Sequence, residues 1–420
     1  MNNNKPRIYS PSAFIIPEYR MIQLSNGLKV YIFKGGESDT LKLEWCFKAG
    51  RSTESKQLVS KSCNSLIKEG SKYSSGYEIS EYFDYYGSAL THNAGVDYNS
   101  YSFYCLGKYF DPLLEKFLEV MLYPSFPEDE LITIQTNSIS RLKQDMDDAD
   151  FNSYRILTEK IFGSNHPYGY NSTEQNIRSV GTSDILSHWH LNYQTTDSFI
   201  IVAGNVTNTI LQKIEDNFGH IGLKKTPTRN DLKDIEQDMR PIKSFKLEKT
   251  QSSVKIGIDC VSRQHDDFDG MFVFNTVLGG YFNSRLNNVI REAKGLTYNI
   301  FSTHDTYLYG GLFYISADTS QDQVIKMNTE IYTQIDKLLD KPIPKAELER
   351  VRGYLLGTLM TSFDGVYNCV ETLRSCLIEG VDFASVQQLI NKIATIETTE
   401  VMETGRRNLS IDNLIEVVIG

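Results

Sequence analysis

The sequence predicts an α+β chain of two homologous α/β-sandwich domains, each a mostly antiparallel sheet with helices packed on it, joined by a linker. Three observations carry this. The chain has 420 residues, too many for one ordinary hydrophobic core. Its strand-like runs alternate with helical patterns, and several are joined by hairpin turns, unlike a doubly wound parallel sheet. The punctuation of the first half also recurs in the second. Pro127-Glu-Asp-Glu-Leu131 and Pro344-Lys-Ala-Glu-Leu348 each open a long helical pattern, and the apolar run 199–204 is echoed by 414–420. Matching signals at matching places mark a duplication.

In order along the chain, residues 21–24 and 28–33 read as strands around Ser25-Asn26-Gly27, a strong hairpin signal. Residues 41–47 alternate apolar and polar types and read as a third strand. Helical patterns follow over 55–68 and 77–86, the second stopped by Gly87, and then strands over 88–93 and 98–106. Residues 112–122 form an amphipathic helix pattern. The long helix after Pro127 has proline in its first turn and acids at its positive dipole end. Strands recur at 253–260 and 310–316. The polar stretch 224–241 holds two prolines and few apolar residues, and reads as the linker. The predicted organisation is an N-terminal extension over 1–18, a first domain over 19–223, the linker over 224–241 and a second domain over 242–420.

Composition excludes several function classes. Hydrophobic residues are 40% and charged residues 23%, as in ordinary globular proteins. Mean hydropathy is −0.33, and no apolar run is long enough to span a bilayer. The net charge of −10 leaves no basic stripe to neutralise phosphates, so no nucleic-acid partner is predicted. The first twenty residues hold no continuous apolar signal region, which predicts a cytoplasmic chain; a leader removed upstream would leave the same picture. The six cysteines are scattered without a Cys-x-x-Cys pair and read as small buried hydrophobes.

The most informative stretch is Leu278 to Tyr298. A Gly-Gly turn leads into a helix-like run with Leu286, Val289 and Ile290 on one face. Gly295 stops it, and an extended run begins at Leu296. Arg291 and Tyr298 flank this turn, seven residues apart. Both donate hydrogen bonds to a carbonyl or oxyanion, and neither suits a metal. With Ser25-Asn-Gly-Leu-Lys-Val30, Phe47-Lys-Ala-Gly50, Asn165-His-Pro-Tyr-Gly169 and Val202-Ala-Gly-Asn-Val206, this layout resembles the pitrilysin/insulinase/mitochondrial-processing-peptidase family over almost the whole chain. The resemblance implies that Arg291 and Tyr298 bind substrate and stabilise the reacting carbonyl.

Active members of that family carry HxxEH on the first helix after the Ala-Gly turn, with a third ligand from a long helix roughly seventy to eighty residues later. Aligning Lys68-Glu-Gly70-Ser on the family's F-K-G-T puts Lys61 and Ser65 at the two histidine positions and Asn64 at the general base. The third-ligand region reads Ser138-Ile-Ser-Arg141-Leu142, without a carboxylate. An ammonium cannot ligate zinc, serine is a poor neutral ligand, and an amide is no base. A shift of register does not help, because no histidine precedes His92. No cofactor is therefore expected in this chain, and zinc is expected in a partner.

Other metal-like clusters have plainer readings. His188-Trp-His190 points its rings apart on a helix and reads as a polar face. Asp269, near His265, reads as a helix N-cap. Asp145-Met-Asp-Asp-Ala-Asp150 lacks the glycine and distal glutamate of a calcium loop and reads as a solvated helix end. His166 reads as a loop anchor, and His92 as a strand residue at the edge of the lost site.

Two functions follow from the resemblance. In the first, the chain is the non-zinc subunit of a heterodimeric zinc metallopeptidase. It is inactive alone, and Arg291 and Tyr298 act in trans on a peptide held at the zinc of a homologous HxxEH subunit. The alternative is a catalytically inactive peptide-binding or scaffold protein of the same fold. Self-pairing into a homodimer stays open.

Overall fold

The computed structural model describes residues 16–36, 38–226, 232, 242–244 and 251–420. The predicted linker over 224–241 lies almost wholly outside the described residues, as does most of the predicted extension over 1–18.

The first half forms a six-stranded sheet in the order β1-β2-β6-β3-β5-β4. Its strands are β1 (Arg20–Gln23), β2 (Lys29–Lys34), β3 (Thr40–Phe47), β4 (Thr91–Ala94), β5 (Asn99–Leu106) and β6 (Phe199–Gly204). Its helices are α1 (Val59–Leu66), α2 (Gly76–Tyr85), α3 (Phe110–Leu122), α4 (Glu128–Asp145), α5 (Ala149–Phe162), α6 (Glu174–Ser179), α7 (Thr182–Asn192) and α8 (Asn208–Phe218). The second half forms a five-stranded sheet in the order β7-β11-β8-β10-β9. Its strands are β7 (Ile242–Ser244), β8 (Gln251–Cys260), β9 (Asn299–Tyr307), β10 (Gly310–Ser320) and β11 (Ile415–Ile419). Its α-helices are α9 (Phe268–Leu278), α10 (Val324–Asp340), α11 (Lys345–Thr361), α12 (Val366–Ile378), α13 (Ala384–Thr395) and α14 (Thr398–Asn408).

The duplication is visible strand by strand. β2 runs parallel to β6, and β7 parallel to β11; every other pairing is antiparallel, in corresponding places. Pro127 and Pro344 sit at the N-cap positions of α4 and α11, one residue before the first turn, with φ/ψ of −60/134° and −54/134°. A fixed φ suits that position, and proline has no N–H to leave unpaired there.

Each half lends a helix to the other. Leu157 and Ile161 of α5 pack on Leu312, Ile415 and Val417 of the second sheet. Val370 and Leu373 of α12 pack on Tyr31, Phe33 and Ile201 of the first. This explains why the alternating pattern of β3 does not mark a solvated face. Leu41, Leu43, Trp45 and Phe47 enter the first core, while Lys42 and Glu44 on the opposite face are 3% and 1% exposed beneath α12. Their charges are compensated in place. Lys42 Nζ lies 3.0 Å from Glu44 and 2.7 Å from Glu371, and Arg374 lies 2.8 Å from Glu44. In the second sheet, buried Lys255 reaches Asp150 of α5 in the corresponding way.

Several local expectations change. The helix predicted over 55–68 begins only at Val59, because Leu58 takes a left-handed φ of 70°, and it tightens into a 3₁₀ turn at Ile67–Glu69. Asp267 rather than Asp269 is the N-cap of α9; its carboxylate binds Arg407 and Asn408 (2.9 Å) and does not cap the helix. His188 is no polar-face residue. It is buried, and its Nε2 lies 3.1 Å from the Ala49 carbonyl, while His190 is exposed. His166 is a buried anchor whose Nδ1 accepts from Tyr168 N at 3.1 Å. Asp148 caps α5 by accepting from Asp150 N at 2.9 Å. All six cysteines are free thiols, five of them buried.

Candidate functional site

Helix α1 hangs from the Ala-Gly turn. Ser60 Oγ donates to Ala49 O at 2.7 Å, and Asn99 Nδ2 donates to the same carbonyl at 2.7 Å. Buried Glu54 takes the place of a cap: it accepts from Leu58 N at 3.2 Å, Ser60 N at 2.9 Å and Tyr170 Oη at 2.7 Å. Burial outweighs these donors and pushes its carboxyl up to about 7.

With α1 fixed, Val59, Cys63 and Leu66 enter the core. Lys61, Ser62 and Ser65 face a cavity of about 550 Å³, whose far wall is Ser138, Arg141 and Leu142 of α4 and Arg155 of α5. The structure therefore brings the predicted histidine positions and the predicted third-ligand region to one place. Asn64 is not part of it. Its side chain is buried, its Oδ1 accepts from Tyr193 Oη at 3.2 Å, and its carbonyl accepts from Tyr101. The position expected to hold the general base is a core amide. An ammonium, hydroxyls and two guanidiniums with a single carboxylate, Asp145, on these walls do not fit zinc, which needs several lone-pair donors such as imidazole or carboxylate. His92 lies on β4, stacked on Tyr101, with burial holding its imidazole down at about 4.

Arg291 and Tyr298 stand elsewhere. Neither lines the cavity. The helix-like run is a π-helix over Asn287–Ala293, with Leu286 and Ile290 buried and Val289 partly so. Single π turns occur often at functional sites. Gly295, at φ 61°, ends it by donating its N–H to Arg291 O at 3.1 Å. Gly279 is required by contact: a Cβ there would meet Ser302 N at 2.5 Å. The backbone on both sides of Tyr298 is tied down. Thr297 Oγ1 donates to Asn299 O at 2.8 Å, and Thr319 Oγ1 donates to Leu296 O at 2.6 Å. The Tyr298 side chain itself is 90% exposed. Arg291 is partly exposed, 5.0 Å over the exposed Phe282 ring and 3.7 Å from its neighbour Glu292.

Arg155 is the cavity residue that sequence reading missed. It lies far along the chain from Lys61, and no local motif joins them.

Two α+β halves, each lending a helix to the other, frame this cavity. The family profile described as "Peptidase M16 inactive domain" matches residues 179–355. The chain is 24% identical to the Bacillus subtilis protein named uncharacterized zinc protease YmxG, over 83% of this chain and 85% of that one. Its fold matches the crystal structure of a peptidase M16 inactive domain from Pseudomonas fluorescens with a TM-score of 0.87 at 19% identity, covering 96% of this chain and 98% of that one. A crystal structure of a protease from Helicobacter pylori matches with a TM-score of 0.86 at 16% identity, covering 96% and 100%. The chain is thus similar to M16 peptidases over most of its length, and its sequence contains no HxxEH.

Proposed function

We propose that this chain is the metal-free subunit of a two-chain zinc metallopeptidase. A homologous partner with an intact HxxEH supplies the zinc, a peptide lies between the two chains, and Arg291 and Tyr298 donate to its reacting carbonyl. The chain alone holds no catalytic zinc and cleaves nothing. The observation that carries this reading is Tyr298: a phenol 90% exposed on a segment pinned on both sides. A donor carried on a fixed backbone is presented to solvent before substrate arrives, and each oxyanion donor contributes about 3–4 kcal/mol in other hydrolases.

The test is turnover by the mixed complex. Arg291→Ala and Tyr298→Phe each lower it at least about tenfold without lowering assembly. Unchanged turnover removes the catalytic role.

A second reading, an inactive peptide-binding or scaffold protein, is supported by a cavity of about 550 Å³ that persists without zinc chemistry. A neighbouring gene for a similar chain with HxxEH favours the peptidase subunit, and its absence favours the binding protein. A homodimer fits only the second reading, since two copies would bring together no zinc ligands.

A further inference from the structure

The cavity between α1, α4 and α5 has a charge that the chain as a whole does not. The protein carries 43 lysines and arginines against 53 aspartates and glutamates. The cavity walls reverse this: Lys61, Arg141 and Arg155 face it with one carboxylate, Asp145. That carboxylate lies 3.8 Å from Arg141 on the exposed rim. Lys61 makes no ion pair among the described residues.

Arg155 is the most committed of the three. Its Nη2 donates to Ser172 O at 2.9 Å, and its guanidinium stacks 5.3 Å from the Phe151 ring, so one arm and one face are fixed. The nearby carboxylate, Glu159, is engaged by Asn171 Nδ2 at 2.9 Å. The guanidinium is partly buried and oriented; Glu159 is near enough to act on its charge but forms no ion pair with it among the described residues. Ser65 and Ser138 add hydroxyl donors from opposite walls.

We infer that this cavity is an oxyanion-binding site, taking a carboxylate or phosphate group between Lys61 and Arg155. A planar fork and a mobile ammonium, with hydroxyls between them, suit an acid with two or more oxygens. The same walls repel a cation. With side-chain cations on its walls, the cavity offers ion-pair rather than Lewis-acid chemistry. The inference stands apart from the catalytic role of Arg291 and Tyr298, which lie outside the cavity. Two sources offer the chemistry: the C-terminal carboxylate of a peptide and inorganic phosphate.

The test is calorimetric titration of the full chain at low ionic strength. The probes are inorganic phosphate, a short peptide with a free C-terminus, and the same peptide amidated. Saturable binding of one ligand per chain is expected. Lys61→Gln and Arg155→Gln should each weaken it by about tenfold or more, as for loss of a charge-assisted hydrogen bond. Lys61 is exposed on α1, so its variant tests the site without threatening the fold, and circular dichroism checks both. Binding of the free but not the amidated peptide identifies the carboxylate source. Binding of phosphate, with the two peptides indistinguishable, identifies phosphate. The inference is overturned if neither phosphate nor the free peptide binds, if the two peptides bind alike and phosphate does not, or if Lys61→Gln binds as tightly as the wild type.

Discussion

Replacing Glu54 by Gln tests how helix α1 is held. Glu54 is 8% exposed, and its carboxyl is raised by burial from an ordinary 4.5 to about 7, against the pull of Tyr170 and two backbone N–H donors. Below pH 4.5 the group is protonated in both folded and unfolded chains. Between 4.5 and 7 the unfolded chain releases its proton and the folded chain keeps it. The stability this group contributes is thus full at low pH and is lost as pH rises through 7. A displacement of that size corresponds to about 3 kcal/mol. Gln resembles the protonated acid in shape and does not titrate. Urea unfolding of both proteins from pH 4 to 8.5 should show Glu54→Gln near-neutral at the acid end and more stable by about 3 kcal/mol, relative to wild type, at the alkaline end. A difference that stays constant with pH, or that grows in favour of wild type, would mean that the donors at Leu58 and Ser60 win over burial, and the reasoning would be wrong.

Further outcomes follow from the same packing. Burial holds His188 and His92 down at about 4, so both are neutral in the fold, and the stability they contribute is lost as pH falls from 6.5 towards 4; acid unfolding curves of a His188→Gln variant should show a shallower slope there. Arg374→Met leaves Glu44, 1% exposed, with one cationic partner, and should cost about 2–3 kcal/mol in urea unfolding. Leu157→Ala should cost about 2–5 kcal/mol. Because α5 packs on the second sheet, this variant should weaken hydrogen-exchange protection in β8 and β11 before β6.

The fold was legible where chemistry is local. Asn26 announces the hairpin, and its Oδ1 accepts from Leu28 N at 3.1 Å at the tip of the β1–β2 pair. Pro127 and Pro344 announce two equivalent helices because a fixed φ means the same in both halves. The exchange of α5 and α12 was not legible, because an apolar stripe such as Leu157 and Ile161 states that it must be covered, not by which sheet. The alternation over 41–47 gives the strand but not what covers its polar face; the arrival of Arg374 and Glu371 explains the burial of Lys42 and Glu44. At the site, Lys61 and Ser65 were reached only through the resemblance, by aligning Lys68-Glu-Gly70-Ser on the family's F-K-G-T. The direction of Asn64 depends on Tyr193 and Tyr101, and the charge of the cavity depends on Arg155, all distant in sequence. The π-helix under Arg291 has no compositional signal beyond Gly295.

Everything proposed for the chain's role rests on Lys61 and Ser65 being unable to replace two imidazoles. Elemental analysis of the purified protein, after dialysis against a trace of zinc, measures this directly. The account predicts less than about a tenth of a zinc per chain. One zinc per chain, lost when Lys61 and Ser65 are replaced by alanine, would contradict it.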